Sequence, residues 1–327
     1  MHILVLGAAG MVGRKLTERL LRDGHLGKRD ISRMTLQDVV APAAAKAGFP
    51  VDTLTGDFAV PGAAEKLVAD RPDVIFHLAA IVSGEAELDF DKGYRINLDG
   101  TRMLFDAIRL AGGGYKPRIV FTSSIAVFGA PFPDAIGDEF FQTPLLSYGT
   151  QKAIDELLLA DYSRRGFMDG IGIRLPTICI RPGLPNKAAS GFFSNILREP
   201  LAGKEMVLPV SEDVRHWHAT PRSAVGFLLH AATIDSATVG PRRNLTMPGL
   251  SATVGEQIAA LKRVAGEKVA ARIKREPDPF IMGIVAGWPR NFEPKRALKL
   301  GFTTAEKTFD DIIRIHIEDE LGGKFVA

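Results

Sequence analysis

The chain has 327 residues, enough for two domains or for one large domain with a lobe, and its 46% hydrophobic and 24% charged content excludes the disordered and fibrous classes. Lys and Arg number 41 against 38 Asp and Glu, a surplus of +3, so neither nucleic acid nor an anionic membrane surface is an expected partner. A single cysteine, Cys179, excludes an internal disulfide and any cysteine-based metal site.

In chain order, short apolar runs alternate with helical patterns. Strands are expected at 2–6, 34–40, 51–55, 74–78, 118–122 and 171–175. Helices are expected at 11–21, 63–70, 94–110 and 147–163, with the Ala-rich piece 41–47 as a short helical connection. Strands that read as unbroken apolar runs are covered on both faces, and the helices between them act as crossovers. The expected fold is therefore α/β, a doubly wound parallel sheet. Beyond about residue 177 the texture changes. Pro182, Gly183, Pro185, Gly191, Pro200, Gly203 and Pro209 cluster, and helical patterns return only at 221–232, 254–265 and 308–321. A smaller C-terminal α/β lobe is expected there. Cys179 lies in the apolar run 171–180 and reads as a buried thiol. No uncharged apolar stretch reaches the roughly 18 residues of a membrane span. The chain starts on an apolar run without the positive lead of a signal peptide, so a cytoplasmic soluble protein is expected.

Gly7-Ala8-Ala9-Gly10-Met11-Val12-Gly13 follows the first strand and opens the first helix. Glycines here allow a tight turn and a close approach to a pyrophosphate resting on the helix N-terminus, so Gly7, Gly10, Met11, Val12 and Gly13 are expected to bind a dinucleotide. Asp38 closes the second strand, where a carboxylate meets ribose hydroxyls. It repels a 2′-phosphate, and no Lys or Arg follows it before Lys46, so NAD is expected over NADP.

Tyr148 and Lys152 stand four apart, on one face of a helix. A phenol near pKa 10 is a poor base at neutral pH, and a neighbouring ammonium makes it a usable one. Thr122-Ser123-Ser124 ends the preceding strand, at the edge where parallel sheets bind ligands. His77 reads as a hydrogen-bonded core histidine. His216 and His218 flank Trp217 without a third ligand, so no metal is assigned.

The glycine pattern, Asp57 in Gly56-Asp57-Phe58, His77-Leu78-Ala79-Ala80, Asn97, Ser124 and the Tyr148/Lys152 pair together resemble the extended short-chain dehydrogenase/reductase superfamily, over nearly the whole chain. The resemblance implies an NAD-dependent enzyme with a Rossmann-type domain. Tyr148 would be the base, Lys152 would lower its pKa and hold the nicotinamide ribose, Ser124 would orient the substrate hydroxyl, and Asn97 would support the proton relay. Asp57 and Phe58 would face the adenine. Leu78, Ala79, Ala80, Thr122, Pro176 and Thr177 would line the cofactor. The implied division is 1–176, with 216–243 returning to it, for NAD, and 177–215 with 244–327 for the substrate. The superfamily often pairs two helices into a homodimer interface, to which Leu104, Ile108, Leu157 and Leu158 would contribute unless they are ordinary core.

Ser124 is followed by Ile125-Ala126-Val127 rather than by acidic residues, unlike the superfamily's dehydratases. Thr177-Ile178-Cys179-Ile180 replaces the usual Asn-Val-Tyr-Gly run of its nucleotide-sugar enzymes. With Ala80-Ile81-Val82-Ser83-Gly84-Glu85, Arg215-His216-Trp217-His218 and Gly287-Trp288-Pro289, the chain looks most like the branch that oxidises D-erythronate, a four-carbon sugar acid, at C2. That implies Arg215 on the substrate carboxylate, with Ser83, Ser123, Ser124 and Tyr148 on its hydroxyls. The alternatives are a nucleotide-sugar epimerase and a non-catalytic NAD-sensing regulator.

Overall fold

The computed structural model describes residues 1–43, 46–183 and 190–327. These form two compact units. The first comprises Met1–Val127, Leu146–Leu175 and Val225–Thr246, and the second Phe128–Leu145, Pro176–Ala224 and Met247–Ala327.

The first unit is built on a seven-stranded sheet: β1 (His2–Leu6), β2 (Arg33–Asp38), β3 (Val51–Thr55), β4 (Val74–His77), β5 (Arg118–Ser124), β6 (Asp169–Leu175) and β7 (Asn244–Thr246). Its order is β7-β6-β5-β4-β1-β2-β3, and every pairing is parallel. The first six strands follow the 3-2-1-4-5-6 order of a dinucleotide-binding fold. The apolar runs behave as parallel strands must: Ile3, Leu4, Val5 and Leu6 are fully buried, as are Ile75 and Phe76. The helices that matter for the site are α1 (Met11–Asp23), α2 (Ala63–Ala69), α3 (Ser83–Leu88), α4 (Gly100–Leu110) and α5 (Ser147–Arg164). The amphipathic α1 buries Leu16 and Leu20, and Gly24 ends it in the left-handed region.

Several expectations shift. The helix expected over 94–110 is two pieces, a π-helical turn over Tyr94–Asp99 followed by α4. Strand β5 runs two residues further than expected, to Ser124. Leu104 and Ile108 pack in the core of the first unit at 0% and 1% exposure, so neither can meet a partner subunit. Residues 44 and 45 of the Ala-rich piece, and Pro185, lie outside the described residues; the rest of 41–47 is not helical.

The second unit has its own core, in which Phe193, Ile196, Leu197, Ile258, Ile312 and Ile313 pack together. The strand Arg215–Ala219 pairs with Thr177–Ile178 on one side and Leu250–Thr253 on the other. This draws 216–224 into the second unit, whereas the implied division returned them to the first. Residues 128–145 join it too, since Ile136–Gly137 pairs with Phe292–Glu293. Asn244–Thr246 goes the other way, as the seventh strand of the large sheet. Thr253 and Thr308 each open a helix with a reciprocal capping box. Cys179 is fully buried, and burial pushes its thiol up to about 12. Among the described residues no helix is long and apolar enough to cross a membrane.

Candidate active site

The carboxyl edge of the large sheet gathers the expected cofactor residues. Leu6 is in register with Gln37 of β2 and His77 of β4, so three strand ends open at one level. Gly7 turns there with φ of +86°, and a Cβ on it would lie 2.7 Å from the backbone nitrogen of Ala79. Gly13 lets the first turn of α1 press on that loop: a Cβ there would lie 2.1 Å from the Gly7 carbonyl. Gly10 is the N-cap and has no side chain to satisfy the helix donors, and no acidic residue follows in the first turn. The Met11 and Val12 N–H groups, at the positive end of α1, thus present a cradle for a diphosphate. Asp38 is fixed beside it, accepting from Ala9 N at 2.9 Å through one carboxylate oxygen and from Val40 N at 3.2 Å through the other. These residues fit NAD.

The neighbouring residues sort themselves by what their side chains can offer. Asp57 accepts from Ala59 N at 2.8 Å and pairs with Arg95 at 2.8 Å. The Phe58 ring is core, edge-on to His77 at 5.4 Å, so only its backbone can face a ligand. Leu78, Ala79 and Ala80 continue β4 half-buried. Thr122 donates to the His77 carbonyl at 3.1 Å.

Ser124 ends β5, and its hydroxyl accepts from Ala126 N at 3.1 Å, which fixes the oxygen while leaving its proton to be given. Tyr148 lies in the first turn of α5, whose start is held by Glu87 of α3, accepting from Ser147 N at 2.8 Å. One turn on, Lys152 is 2% exposed, its ammonium 5.8 Å from the Tyr148 ring and 4.5 Å over the Phe121 ring. Burial lowers Lys152 to about 8, against the opposing charges of Asp155 and Glu156. Asn97 sits in the π-helical turn, a feature frequent at functional sites. Its amide takes both backbone groups of Ile81, at 2.9 and 3.1 Å, and donates to Gln151 at 2.7 Å. The Asn97 side chain is therefore fully used, and the Asn97 backbone carbonyl accepts from Thr101 Oγ1 at 2.5 Å. Because the Thr101 proton goes there, His77 Nε2, 2.9 Å from Thr101 Oγ1, is the donor of that pair. Burial holds His77 down to about 3, so it is a neutral core histidine.

Ser123 is a correction. It is 2% exposed and donates to Glu156 at 2.5 Å, so its hydroxyl faces the fold interior and not a substrate. Alternation along β5 gives Ser123 and Ser124 opposite faces. Arg174, in register with Ser123, grips the same Glu156 through two nitrogens at 2.7 and 2.9 Å. Arg222 is held by Asp319 and Glu318 at 2.5 and 2.9 Å. Arg215 is the loosest of the three, with contacts of 3.3–3.4 Å to Ser251 and Glu256. Ser83 opens α3, half-buried. In the second unit, Thr177 Oγ1 lies 2.7 Å from His216 Nε2, and His216 Nδ1 lies 2.8 Å from the Pro289 carbonyl. The carbonyl can only accept, so Nδ1 carries the hydrogen and Thr177 donates to Nε2. Pro176 precedes Thr177 and opens the second segment of that unit. Among the described residues no group of three His, Cys, Asp or Glu could hold a metal.

Sequence reasoning missed Gln151, which holds Asn97, and Glu156, which gathers Ser123 and Arg174. The available signal was spacing: Tyr148, Lys152, Asp155, Glu156 and Leu159 share one helix face, and a charged residue on a face that also carries core is rarely idle.

The model of the NAD dependent epimerase/dehydratase family matches residues 3–221. The chain is similar to D-erythronate dehydrogenase of Cupriavidus necator, 44% identical over 98% of both chains. It is 41% identical to D-erythronate dehydrogenase of Haemophilus influenzae, over 98% of this chain and all of that one. Among solved structures, one described as a nucleoside-diphosphate-sugar epimerase from Agrobacterium tumefaciens is 71% identical, covers 99% of this chain and 95% of its own, and superposes with a TM-score of 0.96. With a glycine cradle for NAD beside a serine, tyrosine and lysine at the same sheet edge, the chain belongs to the NAD dependent epimerase/dehydratase family and is an NAD-dependent oxidoreductase of the extended short-chain type.

Proposed function

We propose that the chain oxidises D-erythronate at C2 to 2-dehydro-D-erythronate and releases NADH. The observation that carries this reading is the likeness to two D-erythronate dehydrogenases over essentially their whole length. Bound NAD supplies the hydride acceptor. Tyr148, as the phenolate, takes the hydroxyl proton and becomes the phenol, and the charge of Lys152 is what favours the phenolate beforehand. Ser124 orients the reacting oxygen. Arg215 is the cation for the substrate carboxylate, since Arg174 and Arg222 are committed to acids within the fold. Asp38 at the cofactor cradle favours NAD over NADP. A homodimer through α4 and α5 belongs to the same reading, with Leu110 and Leu157, 70% and 68% exposed, as apolar residues a second copy would cover.

The solved relative described as a nucleotide-sugar epimerase favours a second reading. An epimerase returns its hydride to the same molecule, so free NADH never builds up. The test is to incubate the protein with NAD and D-erythronate and follow NADH by absorbance. Stoichiometric NADH supports the dehydrogenase. No NADH with any aldonate, together with epimerisation of a UDP-sugar, overturns it.

A further inference from the structure

Asp155 lies on α5, three residues beyond Lys152 and seven beyond Tyr148, and is 0% exposed. Neither of its carboxylate oxygens has a hydrogen-bond partner among the described residues. A buried carboxyl without a donor destabilises a fold, and a hydrophobic residue of the same size would serve the core better. Its neighbours explain why it is there. Residues three apart on a helix have neighbouring side chains, and the residue three before Asp155 is the buried Lys152. The other acid nearby, Glu156, is already engaged by Arg174 and by the Ser123 hydroxyl. The charges therefore pair off, Glu156 with Arg174, which leaves Lys152 with Asp155.

We propose that Asp155 is the counter-charge that keeps Lys152 an ammonium in its apolar setting, and so is a positioning residue for the Tyr148 base. This rests on the Tyr148/Lys152 reading above. Burial raises the Asp155 carboxyl and lowers the Lys152 ammonium, and the attraction between the two opposes both shifts. The other groups that face the pair do not replace Asp155. On α5 they are Tyr148 and Glu156. From β4 comes His77, neutral and pushed down further by Lys152, and from β6 comes Arg174, spent on Glu156. The π-helical turn and α4 contribute only the neutral Asn97 and Thr101. At the ends of the helix, Glu87 holds Ser147 N, and Asp106 takes Tyr162 and Arg109.

Without Asp155, Lys152 loses its proton at lower pH, so the basic limb of the rate profile should move down while the acid limb does not rise. The experiment measures kcat/KM for D-erythronate with NAD from about pH 6 to about pH 10 in the parent, Asp155→Asn, Asp155→Glu and Tyr148→Phe. For Asp155→Asn the basic limb should fall by about one pH unit, with the Glu variant moving back toward the parent. The melting temperature of Asp155→Asn should stay level or rise, which separates this role from a structural one. A second readout needs no substrate. The chain has four tyrosines, and in an absorbance titration the phenol step missing from Tyr148→Phe is that of Tyr148. That step should shift in Asp155→Asn. If the Asn variant does not fold, the smaller Asp155→Ser carries the same expectations. An unmoved basic limb and an unmoved phenol titration, with Tyr148→Phe inactive, overturn the proposal and leave the base intact. Turnover retained by Tyr148→Phe overturns the base reading instead.

Discussion

At the scale of single residues, the site separates groups that are free to act from groups that are already used. Ser124 keeps its proton, Asn97 does not have a free amide, and Ser123 is taken by Glu156. Tyr148→Phe removes the phenol and almost no volume. It should lower kcat by about 10²–10⁴-fold while leaving the NAD dissociation constant near the parent value in a fluorescence titration; retained turnover would place the base elsewhere. Arg215 makes only long contacts to a half-exposed Glu256, so its removal costs little stability. Arg215→Ala should reduce kcat/KM for the acid by about ten- to a hundredfold, the loss of a charge-assisted bond. An enzyme as efficient as the parent would remove Arg215 from the substrate set.

At the scale of elements, the cofactor cradle depends on α1 packing against the loop that precedes it. Gly13 is the contact: any side chain there runs into the Gly7 carbonyl within 2.1 Å. The neighbour is backbone and cannot swing aside, so the helix must shift. Gly13→Ala should destabilise the protein by about 1–3 kcal/mol, the usual penalty for overpacking, and weaken NAD binding by moving the helix donors off the diphosphate. A urea midpoint and an NAD titration measure the two effects separately. An alanine variant with parental affinity would show that the cradle does not need this contact. The π-helical turn is the other element that matters, because it carries Asn97 to the backbone of Ile81 and to Gln151.

For the whole molecule, three of the four buried histidines make stability fall as the pH drops. Burial lowers His77 to about 3 and His216 to about 4, and His218 falls well below its ordinary value. In the unfolded chain each titrates near 6.5. Folded pKa values below unfolded ones mean that unfolding takes up protons, so their stabilisation is complete above pH 6.5 and is lost as pH falls toward 4. Asp155, raised in the fold, works in the opposite direction and offsets at most one of the three. Between about pH 6.5 and 5, above the range of the lowered carboxylates, stability should fall by about 1.4 kcal/mol per pH unit for each net proton taken up on unfolding. Urea unfolding at several pH values checks this. A flat profile over that window would mean that the histidines are hydrated in the folded state.

Some of this protein was legible in its residues because the causes are local. Apolar runs of five residues in alternation with amphipathic helices require a parallel sheet, and seven parallel strands are found. A glycine-rich turn before α1, a carboxylate at the end of β2 and a phenol one turn from an ammonium all follow from spacing along one element, and each lies where that spacing puts it. Residues that depend on a distant partner were not legible. Ser123 and Ser124 are neighbours in sequence with the same hydroxyl, and only Glu156, 33 residues on, decides that the first is structural. Leu104 and Ile108 could be core or interface until the packing against β4 and β5 residues such as Ile75 and Phe121 was present. Asn244–Thr246 is three residues long and carries no strand pattern of its own; it becomes the seventh strand because β6 offers an unpaired edge. Asp155 shows the same limit at the site itself. Sequence places it one turn from Lys152, but only burial and the engagement of Glu156 by Arg174 show it as an acid near that ammonium with no hydrogen-bond partner of its own among the described residues.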